Sequence, residues 1–350
     1  MIDVEGVRIK STGIDLRNDQ QQLIAQTFLD TMKQKDAEIL AKLTPAELSP
    51  EESKRLQTVE AAAKEFLTAK IRKLGIPDEN IYLPSVKYIY PSGEDKKNKV
   101  MRFGFHGGLS IVCVVLDHAT RGDLFNAFLV TTHELSHAST AKEARIIWKD
   151  KQGKPVIEKE SIARGLGITG GQGEGIGIGL ENGLAICDEV DFCNGYLRDK
   201  FPADYQKRLK WIERIKKRFD FIQLNKSEFG PIPEEILVPF IFSQSPKVGF
   251  LSRLEVPILK DDLLKNYMLI RRIAVDIGRT LVSDQNTGLS EAELFNLGRI
   301  YLDRHRYART NEAHRKIVEI YGGKKARAIF QVDDGGENID QAMKMISTKG

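Results

Sequence analysis

The sequence predicts an α+β protein in which a small sheet packs on one motif-bearing helix, with helical extensions before and after. Three observations carry this. Residues 19–74 are rich in Gln, Glu, Lys, Ala and Leu at helical spacing; residues 86–116 switch to alternating and then continuous apolar runs; and from about Pro202 the composition turns helical again. At 350 residues, 41% hydrophobic and 29% charged, the chain suffices for one elaborated domain or two ordinary ones. We divide it into a helical N-terminal region (1–80), a core (81–201) and a mostly helical C-terminal region (202–350).

In the first region the helical pattern is broken by "LTPAELSPEES", where Pro45 and Pro50 follow Thr44 and Ser49, residues suited to capping a new helix. The sheet begins where Val86, Tyr88 and Tyr90 fall at every second position between prolines. "SIVCVV" is a continuous apolar run, expected of a strand buried on both faces. In "RGDLFNAFLVTTHELSHAST" Leu124, Phe128, Leu135 and Ala138 recur at helical intervals behind Asp123, the expected N-cap. "ARIIWKDKQGKPVIEKESIAR" reads as two strands around a Gly-Lys-Pro turn. The segment "GLGITGGQGEGIGIG" reads as a glycine-rich flexible loop beside the cleft, followed by the helix "LENGLAICDEVDFCNGYLRDKF". Beyond it, helices are expected, interrupted at "EFGPIPEE", "SQSPKVGF" and "LEVPILKDD".

The net charge of +4 is small, and basic clusters such as "KRLKWIERIKKRF" are interleaved with acidic or apolar residues, so nucleic acid is not indicated as a partner. The first residues lack a secretory pattern and no run approaches the roughly 18 apolar residues of a membrane span, from which we expect a cytoplasmic protein. Cys113, Cys187 and Cys193 form no C-x-x-C pair and are expected to be reduced, buried thiols.

The chemistry concentrates in "TTHELSHAST", which holds the pattern H-E-x-x-H. On a helix His133 and His137 lie four residues apart and project from one face, so both imidazoles can converge on one cation; Glu134 stands beside them to accept a proton from water. Zinc suits such nitrogen ligands. The apolar lead-in "LFNAFLV" argues for a buried helix rather than a solvated pair of histidines.

With a strand leading into an H-E-x-x-H helix, residues 99–201 resemble the zincin metallopeptidases. No His-x-x-Gly-x-x-His extension follows His137, so the resemblance is to the gluzincin branch, which implies a glutamate from a later helix as third ligand. Two glutamates compete. Glu189 in "CDEVD" is similar to an Asn-Glu context with Asp in place of Asn; Glu181 in "LENGLA" is similar to a Leu-Asn-Glu-Gly motif with two letters exchanged. We prefer Glu189, flanked by apolar Ile186, Val190 and Phe192, over Glu181, which sits at the end of the glycine segment. Asp188 and Asp191 are candidates for orienting a ligating histidine. The resemblance implies a zinc-dependent peptidase acting on a peptide or protein substrate, with Glu134 as general base. The alternatives are a catalytically inactive zincin-fold protein that binds metal or a partner, and a helical binding module in which the motif is accidental.

Candidates for stabilising an oxyanion are His305, Tyr301, Tyr307, His314 and Tyr196. His106 and His118 flank the strand before the motif helix and are expected to be hydrogen-bonded strand-end residues. Gly165, Gly167 and Gly170 satisfy G-x-G-x-x-G, but further glycines follow where a dinucleotide site needs a helix N-terminus at once.

Overall fold

The computed structural model describes residues 2–4, 7–12, 18–90, 104–107, 111–116, 124–151, 154–170, 175–218, 238–239, 241–244, 256–259, 261–282, 288–308, 310–332 and 338–347. The architecture is α+β and mostly helical. Two long helices, α1 (Asn18–Ala41) and α2 (Pro50–Lys73), fill most of the N-terminal region. The start of α2 is written locally. Ser49 Oγ accepts from the Glu52 N–H at 3.2 Å while Glu52 Oε2 accepts from the Ser49 N–H at 2.9 Å, and Pro50 follows directly, a position where its missing N–H costs nothing. Thr44 and Pro45 start no helix. Their backbone is tied to the end of a strand instead, with Tyr90 N–H donating to Thr44 O and Ala46 N–H to Tyr88 O, each at 3.0 Å.

That strand, β3 (Val86–Ile89), belongs to a three-stranded sheet with β4 (Gly104–Gly107) and β5 (Ile111–Val115) in the order β3-β5-β4. The pairing of β3 with β5 is parallel, with Val86 opposite Val112, and that of β4 with β5 antiparallel, with Gly107 opposite Ile111. Every residue of β5 is buried, and alternation divides its side chains between two layers. Val112 and Val114 enter the main core with Phe125 and Phe128, whereas Ile111, Cys113 and Val115 meet Ile39 and Leu43 on the other side. The motif helix α3 (Leu124–Ala138) packs on this sheet and on α2. Asp123, the expected cap, lies outside the described residues.

A second, six-stranded sheet runs β1-β2-β6-β7-β8-β9. Its centre is the hairpin of β6 (Lys142–Lys151) and β7 (Lys154–Arg164), bulged between Ile147 and Trp148. Two features depart from the sequence expectation. The first residues are not helical: β1 (Ile2–Val4) pairs with β2 (Val7–Thr12), which adds in parallel to β6, so the chain start joins the core region. Val7 and Ile9 are thereby buried with Ala144 and Ile146 against Phe28 and Leu29 of α1. The glycine-rich segment is not simply a loop either. It supplies β8 (Gly167–Gly170) and β9 (Gly175–Ile176) at the sheet edge.

Helix α4 (Ile178–Asp191) follows and runs through a π-helical stretch, Phe192–Leu197, into a last turn at Arg198–Lys200. The C-terminal region contains α5 (Pro202–Arg218), α6 (Asp261–Leu281), α7 (Glu291–Ala308), α8 (Glu312–Phe330) and α9 (Ile339–Ser347). It also holds a β10 (Ile241–Gln244) and β11 (Val256–Leu259) antiparallel pair, whose residues fall in two of the stretches expected to interrupt the helices. Helices α6 and α7 approach so closely that a Cβ on Gly298 would fall 1.8 Å from the Ala274 carbonyl oxygen. Among the described residues no helix is long and apolar enough to cross a membrane.

Candidate metal centre

The centre forms where α3 lies against α4. Apart from Leu124 and His133, every residue of α3 is buried. His133 and His137, one helical turn apart, bring their rings together with centroids 4.7 Å apart and Nε2 atoms 3.1 Å apart. Glu189, buried on α4, places Oε1 2.5 Å from His133 Nδ1. Glu181, also buried, places Oε1 3.7 Å from His137 Nδ1. The structure therefore brings the four candidate ligands of the two helices together, one glutamate beside each histidine. Glu134 is buried on α3. With burial as the main cause and the Glu134 charge as the second, the Cys113 thiol of β5 is pushed up to about 12.

The donor set fits a divalent metal in kind. If each Nδ1 carries its proton toward the neighbouring glutamate, the two Nε2 lone pairs face each other, an arrangement that repels unless a cation or proton lies between them. Their 3.1 Å separation is close to the roughly 3.3 Å that two nitrogen bonds of about 2.0–2.1 Å to one tetrahedral ion impose. The donors touch in pairs, Glu189 to His133 and His133 to His137, and among the described residues no group of three or more such side chains surrounds a common point.

The two glutamates stand in different electrostatic settings. Glu181 is not at a solvent-facing helix start, as its place after the glycines suggests. It is held by the fully buried Arg306 of α7, whose Nε donates to Oε1 at 2.6 Å, and its Oε2 accepts from the Leu166 N–H at 3.0 Å. Gly165, with φ +54°, makes this approach possible, since a Cβ there would lie 2.1 Å from Glu181 Oε2. Glu189 faces His133 instead. Directly after this carboxylate the π-helical stretch shifts the phase of α4, and Tyr196 stacks on Phe192 with centroids 5.3 Å apart, closing the helix over α3 through Phe128.

Beneath the histidines lies a set of charges that sequence reasoning missed. Asp188, fully buried, accepts from Ser136 Oγ at 2.5 Å, Arg299 Nη2 at 2.6 Å and Arg306 Nη1 at 2.9 Å, and it pairs with Lys70 of α2. Asp303 completes the set through Arg299 Nε at 2.9 Å and Lys70 Nζ at 2.8 Å. Asp188 thus orients Ser136 and three cations rather than a histidine, and Asp191 is exposed. The available signal was the spacing of Arg299, Asp303 and Arg306, at i, i+4 and i+7 on one helical face, a pattern that ordinarily marks a solvated surface.

Four of the five oxyanion candidates are engaged elsewhere, and the buried hydroxyl of the fifth, Tyr307, has no hydrogen-bond partner among the described residues. His305 bonds to Thr310 and lies 3.3 Å from Glu312, with Tyr301 edge-on to its ring at 4.4 Å. His314 Nε2 donates to Leu166 O at 2.8 Å. Tyr307 is buried beside the Arg306 guanidinium, and Tyr196 belongs to the aromatic stack. His106 lies in β4 opposite Val112, and His118 lies outside the described residues. No family model matches the chain, and neither a curated protein nor a solved structure matches it.

Proposed function

We propose that the protein is a zinc-dependent hydrolase of peptide bonds, with α3 and the β3-β5-β4 sheet as a zincin-like core, a peptide or protein as substrate and zinc as cofactor. The observation that carries the reading is the pair of Nε2 atoms facing each other at 3.1 Å with a buried glutamate beside each ring. His133 and His137 would hold the ion, with Glu189 as third ligand. In the structure Glu189 Oε1 meets Nδ1 of His133, while Nε2 of the same ring faces His137. When bound, zinc supplies a Lewis acid that acidifies water and polarises a carbonyl.

The remaining chemistry belongs to the chain. Glu134, next to His133 in the chain and buried, would accept the proton of the attacking water on its carboxylate and return it to the leaving amine nitrogen. Glu181, held by Arg306, stands 3.7 Å from His137 Nδ1.

The test is metal content by mass spectrometry combined with peptide hydrolysis. Wild type is expected to hold near-stoichiometric zinc, His133→Ala and Glu189→Ala to lose it, and Glu134→Gln to keep it while hydrolysis falls roughly 10²–10⁴-fold. Glu189→Ala that retains zinc with only a weakened affinity would make Glu189 an orienting residue rather than a ligand. Wild-type protein that takes up no zinc on reconstitution would sink the reading.

A further inference from the structure

We infer that Arg306, far along the chain in the C-terminal region, is the positioning residue that sets the two ligand-bearing helices in register and holds Glu181 toward His137. The inference rests on the metal centre proposed above. Arg306 is wholly buried, and its guanidinium reaches both helices. On α4 it bonds Glu181 through Nε at 2.6 Å and Nη2 at 2.5 Å, and Asp188 through Nη1 at 2.9 Å. On α3 its Nη2 donates to Ser136 Oγ at 3.0 Å.

Each partner is next to a proposed ligand. Ser136 immediately precedes His137, Asp188 immediately precedes Glu189, and Glu181 lies 3.7 Å from His137 Nδ1. One rigid, planar fork therefore sets α3 against α4 and holds Glu181 where its Oε1 lies 3.7 Å from His137 Nδ1. A lysine carries the same charge but no fork, so it cannot span α3 and α4 simultaneously. Arg299 provides the internal comparison. It shares Asp188 with Arg306, but its other contacts, Asp303 and the Leu184 carbonyl, include neither Glu181 nor any residue of α3.

The experiment measures zinc dissociation constants by competition with a chromogenic chelator for wild type, Arg306→Lys, Glu181→Gln and Arg299→Lys. The visible absorption of each cobalt-substituted protein and the melting midpoint of each metal-free protein are recorded alongside. A positioning role predicts zinc binding weakened about 10–100-fold in Arg306→Lys and Glu181→Gln, with an altered cobalt band, and near-wild-type binding and spectrum in Arg299→Lys whatever its midpoint. Glu181→Gln, which keeps an acceptor for the Leu166 N–H, carries the test if Arg306→Lys does not fold. Wild-type affinity and spectrum in Glu181→Gln and Arg306→Lys, or equal weakening in Arg299→Lys in proportion to lost midpoint, would overturn the inference while leaving the zinc centre standing. Wild-type protein that binds neither zinc nor cobalt would overturn both.

Discussion

Replacing Asp188 by asparagine removes the most connected carboxylate of the buried charges. Three cations, Lys70, Arg299 and Arg306, are set against three carboxylates, Glu181, Asp188 and Asp303, and all six side chains are at most 15% exposed. The variant leaves three cations against two carboxylates and turns amide hydrogens toward a guanidinium. Breaking a buried ion pair by removing one partner costs about 3–5 kcal/mol, because the remaining charge is left desolvated. At roughly 2–4 °C per kcal/mol for domains somewhat shorter than this chain, the melting midpoint should fall by about 6–20 °C. The assay is thermal unfolding followed by circular dichroism, with two companions. Adding Lys70→Met to Asp188→Asn removes one cation and should recover most of the loss. Asp78→Asn, in the exposed pair where Arg72 Nε lies 2.7 Å from Asp78 Oδ1, should leave the midpoint unchanged. An Asp188→Asn midpoint within a degree or two of wild type, or a double variant worse than the single, would refute the charge-balance argument.

Two further outcomes follow from packing and burial. Gly298→Ala should lower the midpoint by the equivalent of about 1–3 kcal/mol or more, since its Cβ has nowhere to go against the Ala274 carbonyl of α6, and an unchanged midpoint would show that the two helices can separate at no cost. Burial holds the His314 imidazole below the ordinary histidine range, partly offset by its hydrogen bond to Leu166 O. The folded state thus resists a proton that the unfolded chain takes up near pH 6.5, and stability is lost as pH falls through that value. His314→Gln should flatten the decline in midpoint between pH 7 and pH 5; an identical decline in both proteins would remove His314 from the acid response.

What was legible in the sequence was local. The Ser49-to-Glu52 capping box, the buried run of β5 and the one-face spacing of His133 and His137 each depend on residues within one or two turns or one strand, and each stands in the structure as its pattern implies. What was not legible depends on partners far along the chain. Val7 and Ile9 look like an unremarkable polar-apolar alternation until β2 pairs in parallel with β6, about 135 residues later. Gly167–Gly170 has only Ile168 and Thr169 as strand formers, set between glycines of a glycine-rich run, and its place in a sheet depends on the ladder that β7 offers. Arg299, Asp303 and Arg306 read as a surface stripe because a sequence does not show that α4 and α2 cover that face with carboxylates and a lysine.

The division of labour between the two glutamates of α4 follows from the same long-range contact. Eight residues apart on one helix, Glu181 and Glu189 differ by a little under a quarter-turn in direction, so both face α3 while only one also faces α7. Glu181 meets Arg306, and its charge is spent within the balanced set of three cations and three carboxylates. Glu189 lies outside that set, with Oε1 against Nδ1 of His133. A carboxylate matched by a guanidinium is a poor ligand for a cation and a good fixed acceptor for an imidazole N–H, whereas one whose neighbour is an imidazole keeps its charge available to a dication. In the zinc centre proposed above, Arg306, by pairing with Glu181, therefore leaves Glu189 as the carboxylate that would serve the metal.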